Sequence, residues 1–230
     1  MPTALITGAS RGLGAAIATA LAGSHDVLLG GRPSAELDRL AASLGGATTF
    51  AAELTDYAAV AAATESITSL DVLVHNAGVE SSLESVADTP VQEWQRVLEV
   101  NLVAAAELTR LLLPALRRSG GHVVFINSGA GIRANPGWAP YAASKFGLRA
   151  LADSLRLEEP GLRVTSIFPG RIDTEMQRRI VAIEGDPYDG GAFLDPATVA
   201  AAVAAAVHTP ADAHPVEVVL RPAGRPQYGR

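Results

Sequence analysis

The sequence predicts an α/β fold in which a doubly wound parallel sheet of about seven strands is flanked by helices on both faces. Short β-rich runs alternate with longer helical patterns, as parallel strands joined by helical crossovers require. No linker, composition shift or internal repeat divides the 230 residues, and this length suits one α/β domain with a sizeable core. We therefore expect residues 1–230 to form a single domain.

Seven runs have the length and the flanking turn residues of buried strands. They are Thr3–Thr7, Asp26–Gly30, Thr48–Ala51, Asp71–His75, His122–Ser128, Arg163–Phe168 and Val216–Arg221. Stretches with apolar residues three and four apart lie between them and predict helices. These stretches are Ala15–Ala22, Ala35–Leu44, Tyr57–Ile67, Gln92–Arg118, Tyr141–Glu159 and Pro196–His208. In the last helix, Val199, Val203 and Val207 form a stripe that we expect to pack against the sheet or a partner.

Composition excludes several classes of function. A net charge of −6 argues against a nucleic-acid-binding surface. The absence of cysteine removes disulfides, thiolate metal sites and a cysteine nucleophile, and it favours a cytoplasmic location. The histidines lack metal-ligand spacing, so we predict no metal site. Because no apolar run approaches the roughly 20 residues of a membrane span, we expect no membrane partner.

A glycine-rich segment follows the first predicted strand and opens a helical pattern. It reads Thr7-Gly8-Ala9-Ser10-Arg11-Gly12-Leu13-Gly14. Such a turn lets backbone N–H groups approach a pyrophosphate at a helix N-terminus, where the helix dipole favours anions. The spacing G-x-x-x-G-x-G differs from the G-x-G-x-x-G dinucleotide fingerprint, and alone it is equally compatible with a tight strand–helix connection.

This spacing resembles the opening of the short-chain dehydrogenase/reductase family, small classical-type members in particular. The resemblance implies a Rossmann-type fold and extends from Thr3 to about Arg221, because later motifs follow in the family order. It implies cofactor contacts from Gly8, Ser10, Arg11, Gly12, Leu13 and Gly14. It also assigns cofactor contacts to Glu53 and Leu54, to Asn76, Ala77 and Gly78, and to Pro169, Gly170, Ile172 and Thr174. Glu53 replaces the usual aspartate, and His75 replaces the first asparagine of an N-N-A-G segment; we assign His75 no role.

The end of the second strand predicts which nicotinamide cofactor is bound. Gly30 and Gly31 stand where a carboxylate would bind the ribose 2′-hydroxyl, and Arg32 follows them. An arginine fork pairs well with a 2′-phosphate. Arg11 offers a second cation, so two positive charges and no acid favour NADP(H). The alternative is that both arginines are ordinary solvated cations.

Tyr141 and Lys145 lie four residues apart at the start of a predicted helix and therefore share one face. A cation beside a tyrosine lowers its pKa and makes it a usable acid/base near neutrality. Ser128, at the end of a strand, can bond a substrate oxygen. The family resemblance implies that Asn101 helps to hold a water beside Lys145, and that Tyr141 and Lys145 also contact the cofactor.

Together these residues predict an NADP-dependent oxidoreductase acting on a small carbonyl or alcohol, with Tyr141 as general acid/base. The alternative is a catalytically silent NADP-binding redox sensor or regulatory protein. Residues 171–195 are weakly patterned and follow a strand end, so they are a candidate substrate lid. Trp138, Tyr188, Ile132 and Phe193 either line the pocket or pack the lid or an interface. By resemblance we expect a homodimer or homotetramer formed through the two long helices.

Overall fold

A computed structural model describes residues 1–223, in which seven parallel strands form one sheet. The strands are β1 (Thr3–Ile6), β2 (Asp26–Gly31), β3 (Thr48–Ala51), β4 (Val72–His75), β5 (His122–Ile126), β6 (Arg163–Pro169) and β7 (Glu217–Leu220). Their order is β3-β2-β1-β4-β5-β6-β7. The predicted doubly wound Rossmann-type sheet is confirmed, with each strand within two residues of its predicted bounds. Residues 224–230 of the predicted domain lie outside the described residues.

Eight α-helices connect these strands within the described part of the chain. They are α1 (Gly12–Leu21), α2 (Ala35–Ser43), α3 (Tyr57–Thr64), α4 (Val91–Leu98), α5 (Ala104–Ser119), α6 (Ala139–Glu158), α7 (Glu175–Glu184) and α8 (Pro196–Val207). The first helix begins at Gly12 rather than Ala15, so the last two glycines of the glycine-rich turn are helical. None of the described helices is both long and apolar enough to cross a bilayer.

Two apolar cores cover the two faces of the sheet. One core joins the sheet to α1, α2 and α8, and it includes the predicted stripe Val199, Val203 and Val207, all buried. The other core joins the opposite face to α3, α5 and α6. Every strand except the edge strands β3 and β7 thus has hydrogen-bonded neighbours on both sides and helices on both faces.

The predicted long helix from Gln92 to Arg118 is interrupted. After α4 the backbone widens into a π-helical turn, Glu99–Val103, before α5 continues to Ser119. Periodicity cannot reveal such a turn, because the apolar spacing on either side of it remains helical. Single π turns are frequent at functional sites, and this one contains Asn101.

Residues 171–195, in which no helix is predicted, contain α7. Thr174 caps this helix by accepting a hydrogen bond from Gln177 N–H at 3.3 Å, and Gly185 ends it with φ of +76°. The Thr-x-x-Gln spacing and the following glycine are helix start and stop signals. We did not recognise these signals in the sequence, because the glycines and the proline between residues 185 and 191 are typical of a loop.

Candidate active site

The sheet order reverses between β1 and β4, and the candidate site residues gather at the carboxyl ends of these and the adjoining strands. β1 pairs with β2 on one side and with β4 on the other. The strands that follow β1 are therefore added first on one side of it and then on the other. Ligands of open α/β sheets bind in the crevice that this reversal creates.

The glycine-rich turn after β1 is packed too closely to carry a side chain at Gly8 or Gly14. Gly8 and Gly12 have φ of +65° and +56°, a region that favours glycine. A Cβ on Gly14 would collide with the Gly8 carbonyl oxygen, and one on Gly8 would lie 2.9 Å from the Ala77 Cα. The turn therefore presents bare backbone at the start of α1, which suits an approaching phosphate.

Asn76 joins the end of β4 to this turn. Its side-chain amide donates to the carbonyl of Thr7 at 2.9 Å and to that of Gly8 at 3.3 Å. In return, the Thr7 hydroxyl accepts from the backbone N–H groups of Asn76 and Ala77 at 2.9 and 3.0 Å. Thr7 thus has a positioning role that we did not predict, although its place directly before Gly8 was visible in the sequence.

Ser128, Tyr141 and Lys145 meet where β5 ends and α6 begins. Tyr141 lies in the first turn of α6, and the Lys145 ammonium, one turn later, is 5.7 Å from the centre of its ring. Ser128, two residues after β5, lies close enough to Tyr141 to lower the pKa of its phenol. Lys145 is only 4% exposed, and its ammonium donates to the Ile126 carbonyl at 3.0 Å.

Burial sets the proton affinities of this group. It lowers the pKa of Lys145 to about 8, so the side chain remains mostly cationic at pH 7. Burial raises the pKa of Tyr141, the hydrogen bond with Ser128 lowers it, and the Glu80 carboxylate raises it. The expected lowering of the Tyr141 pKa is therefore wrong, because desolvation of the phenolate is the largest of these effects.

The π turn aims Asn101 at the segment that follows β4. Its side-chain oxygen accepts from Val79 N–H at 2.8 Å, and its amide donates to the Val79 carbonyl at 3.0 Å and to the Ser144 hydroxyl at 3.1 Å. A Cβ on Gly78 would lie 3.2 Å from the Asn101 oxygen and 3.9 Å from the Lys145 nitrogen. Gly78, Asn101 and Lys145 therefore line one small space.

Comparison with known proteins gives this arrangement a family. Residues 2–184 match the short chain dehydrogenase family. The chain belongs to that family. Its members are oxidoreductases that act on small molecules.

Three relatives illustrate the match to this family. The chain is 38% identical over 97% of its length to a glycine betaine reductase of Emericella nidulans, although it spans only 19% of that protein. It is 33% identical to an uncharacterised short-chain type dehydrogenase/reductase of Sinorhizobium fredii, covering 96% of this chain and 92% of the relative. An alcohol dehydrogenase from the archaeon Thermococcus sibiricus, solved with 5-hydroxy-NADP, superposes with a TM-score of 0.88 at 29% identity, covering 99% of this chain and 100% of that one.

Both arginines expected to bind a 2′-phosphate have an acidic neighbour in this family member. Arg11 pairs with Glu175 of α7 at 2.8 Å, and Arg32 lies 3.9 Å from Glu53. The carboxylates that meet the two arginines thus come from other segments, while the end of β2 carries glycines and no acid. The Arg32 and Glu53 side chains are 76% and 48% exposed, so this pair is weak and the guanidinium can turn to a stronger anion.

The remaining cofactor candidates lie on two sides of the crevice. Gly170 follows β6, where its N–H donates to the Leu220 carbonyl at 2.8 Å. Ile172 forms an isolated parallel bridge with Leu194. The Thr174 methyl group would be 3.5 Å from a Cβ on Gly12, so this segment reaches the glycine-rich turn. Leu54 packs against the second core, and Leu13 is buried in the first.

The four candidate pocket residues lie in three places. The Trp138 ring meets Tyr141 edge to face at 5.6 Å, so it lies at the site. Tyr188 and Phe193 contact each other at 5.4 Å within the candidate lid, while Ile132 is exposed. His75 is buried, stacks on Phe125 and forms a hydrogen bond with the Thr109 hydroxyl at 2.8 Å. These contacts are typical of a packed residue without a catalytic role.

Proposed function

We propose that this protein is an NADP(H)-dependent oxidoreductase that interconverts a carbonyl and an alcohol, with Tyr141 as its general acid/base. The observation that carries the proposal is the placement of Tyr141 and Lys145 one turn apart at the start of α6, with the ammonium 5.7 Å from the tyrosine ring and Ser128 at the adjoining end of β5. The bare glycine-rich turn fits a dinucleotide pyrophosphate, because a Cβ at Gly14 has no room. When bound, the nicotinamide supplies or accepts the hydride.

The chain's own residues handle the proton and the substrate oxygen. The Ser128 hydroxyl orients and polarises the carbonyl oxygen, and Tyr141 donates its proton to that oxygen as the alcohol forms. The Lys145 ammonium, held by the Ile126 carbonyl, stabilises the resulting phenolate electrostatically. In alcohol oxidation the same groups act in reverse, with Tyr141 as base.

Support for NADP(H) over NAD(H) comes from the end of β2. Gly30 and Gly31 leave no carboxylate at the position where one would repel a 2′-phosphate, and a Cβ on Gly30 would lie 2.9 Å from the Ile6 carbonyl oxygen. Arg32 and Arg11 are exposed cations beside the cofactor crevice. The Thermococcus sibiricus relative, solved with 5-hydroxy-NADP, supports the same choice.

The substrate side and the assembly are part of the same proposal. Residues 171–195 serve as the lid, supported by the ion pair between Arg179 of α7 and Glu80 after β4. We propose a homodimer or homotetramer, supported by exposed apolar side chains of Val103 in the π turn and Phe146 in α6. Light scattering of the purified protein measures the assembly.

The test of the reaction is NADPH consumption with aldehydes, ketones, diketones, quinones, 3-oxoacyl thioesters and keto sugars, with NADH in parallel. Tyr141→Phe keeps the ring beside Trp138 and removes the hydroxyl, so we expect kcat to fall by about 10²- to 10⁴-fold while NADPH still binds. Tyr188→Phe, in the candidate lid, is the matched control. Tight NADPH binding without Tyr141-dependent turnover of any class would instead favour a catalytically silent sensor.

A further inference from the structure

The side chain of Arg11 is held by α7 and not by the glycine-rich turn that carries it. Arg11 lies directly before α1, and its side chain makes no capping hydrogen bond to that helix. Its guanidinium pairs instead with the carboxylate of Glu175, the first residue of α7, at 2.8 Å. Glu175 is the one ion-pair partner of Arg11 among the described residues. A single carboxylate therefore determines where this cation rests.

A backbone hydrogen bond ties the glycine-rich turn to the end of β2, next to both candidate phosphate ligands. The Ala9 N–H donates to the Gly30 carbonyl at 2.9 Å. Arg11 lies two residues after one end of this bond, and Arg32 lies two residues after the other. Two residues extend at most about 7 Å, and arginine has one of the longest side chains. Both guanidinium groups therefore have the reach to bind one anion placed between them.

The pair between Arg11 and Glu175 can be exchanged for a stronger one. The two side chains are 59% and 57% exposed, so the pair is worth little and the guanidinium is free to turn. A charge-assisted hydrogen bond from arginine to a phosphate is stronger. Glu175 also has a second cation, because Arg179 lies 3.7 Å from it one turn later on α7. A phosphate that reaches Arg11 can thus replace Glu175 without leaving that carboxylate unpaired.

We propose that Glu175 is a positioning residue for cofactor specificity, which holds Arg11 and competes with the 2′-phosphate of NADP(H) for it. The inference rests on the proposed function, because that function assigns Arg11 to the 2′-phosphate. NADP(H) must break the pair between Arg11 and Glu175 when it binds, whereas NAD(H) carries no 2′-phosphate and leaves the pair intact. Since Glu175 begins α7, NADP(H) also releases one tie between the glycine-rich turn and the lid, and NAD(H) does not.

Removal of the competing charge should strengthen NADPH binding, which loosened packing cannot mimic. Glu175→Gln keeps the shape of the side chain, so the dissociation constant of NADPH should fall by about two- to fivefold while that of NADH stays unchanged. Arg11→Met should weaken NADPH binding. In the double variant Glu175→Gln should have no further effect, because no guanidinium remains to be released. Glu184→Gln removes the same charge from the same helix but breaks a pair with Arg171, so it is the control without a change.

The experiment is isothermal titration calorimetry at low ionic strength, where exposed charges are least screened. Each variant is titrated with NADPH and NADH, and then with adenosine 2′,5′-bisphosphate and adenosine 5′-monophosphate. The last two compounds carry the adenosine end with and without the 2′-phosphate and contain no nicotinamide, so their binding does not depend on turnover. NADPH and the bisphosphate should gain affinity in Glu175→Gln, and the other two ligands should not.

The outcomes separate this inference from the proposed reaction. Unchanged or weaker binding of NADPH and the bisphosphate to Glu175→Gln would overturn the competition and leave the reaction at Tyr141 untouched. NADPH binding that is the same in Arg11→Met as in the unsubstituted protein would also overturn it. Selective strengthening in a protein without Tyr141-dependent turnover would overturn the proposed function and leave the competition for Arg11 standing.

Discussion

The carboxyl ends of the strands form one edge of the sheet, here called the carboxyl edge, which carries Ser128, Tyr141 and Lys145. The amino ends form the opposite edge, here called the amino edge, which carries four of the five histidines. The histidines there are His25, His122, His208 and His214. Each lies against a neutral group: the Ser24 hydroxyl lies 2.9 Å from both His25 and His208, His122 bonds to the Thr165 hydroxyl at 2.7 Å, and the Val164 N–H lies 2.9 Å from His214. Two polar clusters thus occupy opposite ends of one sheet.

Burial has different consequences at the two edges. At the amino edge it lowers the pKa of His122 to about 3, so the imidazole is neutral at physiological pH. At the carboxyl edge it lowers the pKa of Lys145 only to about 8, so the ammonium stays charged with a single carbonyl acceptor. The difference teaches that a buried imidazole avoids the cost of desolvation by staying neutral, whereas Lys145 keeps a charge that stability alone would not favour.

The largest effect that separates the two edges is expected at Lys145. Lys145→Met fills the same space without the charge, so kcat should fall by about 10²- to 10⁴-fold because the phenolate of Tyr141 loses its cation. The melting temperature should not fall, because removing a buried charge offsets the lost bond to the Ile126 carbonyl. Steady-state kinetics and calorimetry measure the two results. A variant that unfolds at much lower temperature would show that Lys145 stabilises the fold after all.

The next effect is acid sensitivity at the amino edge. The native pKa of His122 lies below the ordinary value of 6.5. As pH falls below about 6.5, the His122 side chain therefore becomes protonated in the unfolded chain but not in the native protein. The free energy of unfolding decreases over the pH range between 6.5 and the native pKa. At pH 5 the contribution of His122 to this loss amounts to about 2 kcal/mol, and the buried His75, whose pKa is also lowered to about 3, contributes in the same direction. Denaturant unfolding at pH 7 and pH 5 measures it.

The variant that tests this effect is His122→Gln. It should reduce the loss of stability between pH 7 and pH 5, because it removes the imidazole that titrates only in the unfolded chain. It should keep kcat at pH 7, because His122 lies at the opposite edge from Tyr141. Equal acid sensitivity in His122→Gln and the unsubstituted protein would place the titrating group elsewhere.

The smallest effect is expected at the exposed rim of the carboxyl edge. Arg32→Asp replaces the proposed partner of the 2′-phosphate with a like charge, so NADPH affinity should fall by about 10- to 100-fold and NADH affinity much less. Arg39→Asp, an equally exposed substitution on α2, is the control. Fluorescence titration with each cofactor measures the dissociation constants. Equal losses for NADPH and NADH would contradict the proposed phosphate pocket.

Local pattern was sufficient for much of the molecule. The strands and most helices could be predicted because buried strands and one-sided helices impose a period on the apolar residues. Tyr141 and Lys145 could be paired because four residues make one helical turn. Helix α7 could have been found in the same way, since Thr174, Gln177 and Gly185 are ordinary start and stop signals.

Contacts between distant segments could not be predicted from the local pattern of the sequence. Nothing in the spacing of residues indicates that Asn101 bonds to Val79 through a π turn, or that Arg11 pairs with Glu175. The net direction of the Tyr141 pKa was also predicted wrongly, because burial depends on everything that packs around the ring.

The sequence by itself determined the parallel α/β fold, the bare backbone of the glycine-rich turn and the helical register that places Lys145 beside Tyr141. These follow from periods and volumes that act within a few neighbouring residues. Only the tertiary structure decided which charges meet, as Glu80 and Arg179 do, and which groups lose their water. Electrostatic and desolvation energies depend on distance and burial in space, and residues 99 positions apart in the chain acquire both only when it folds.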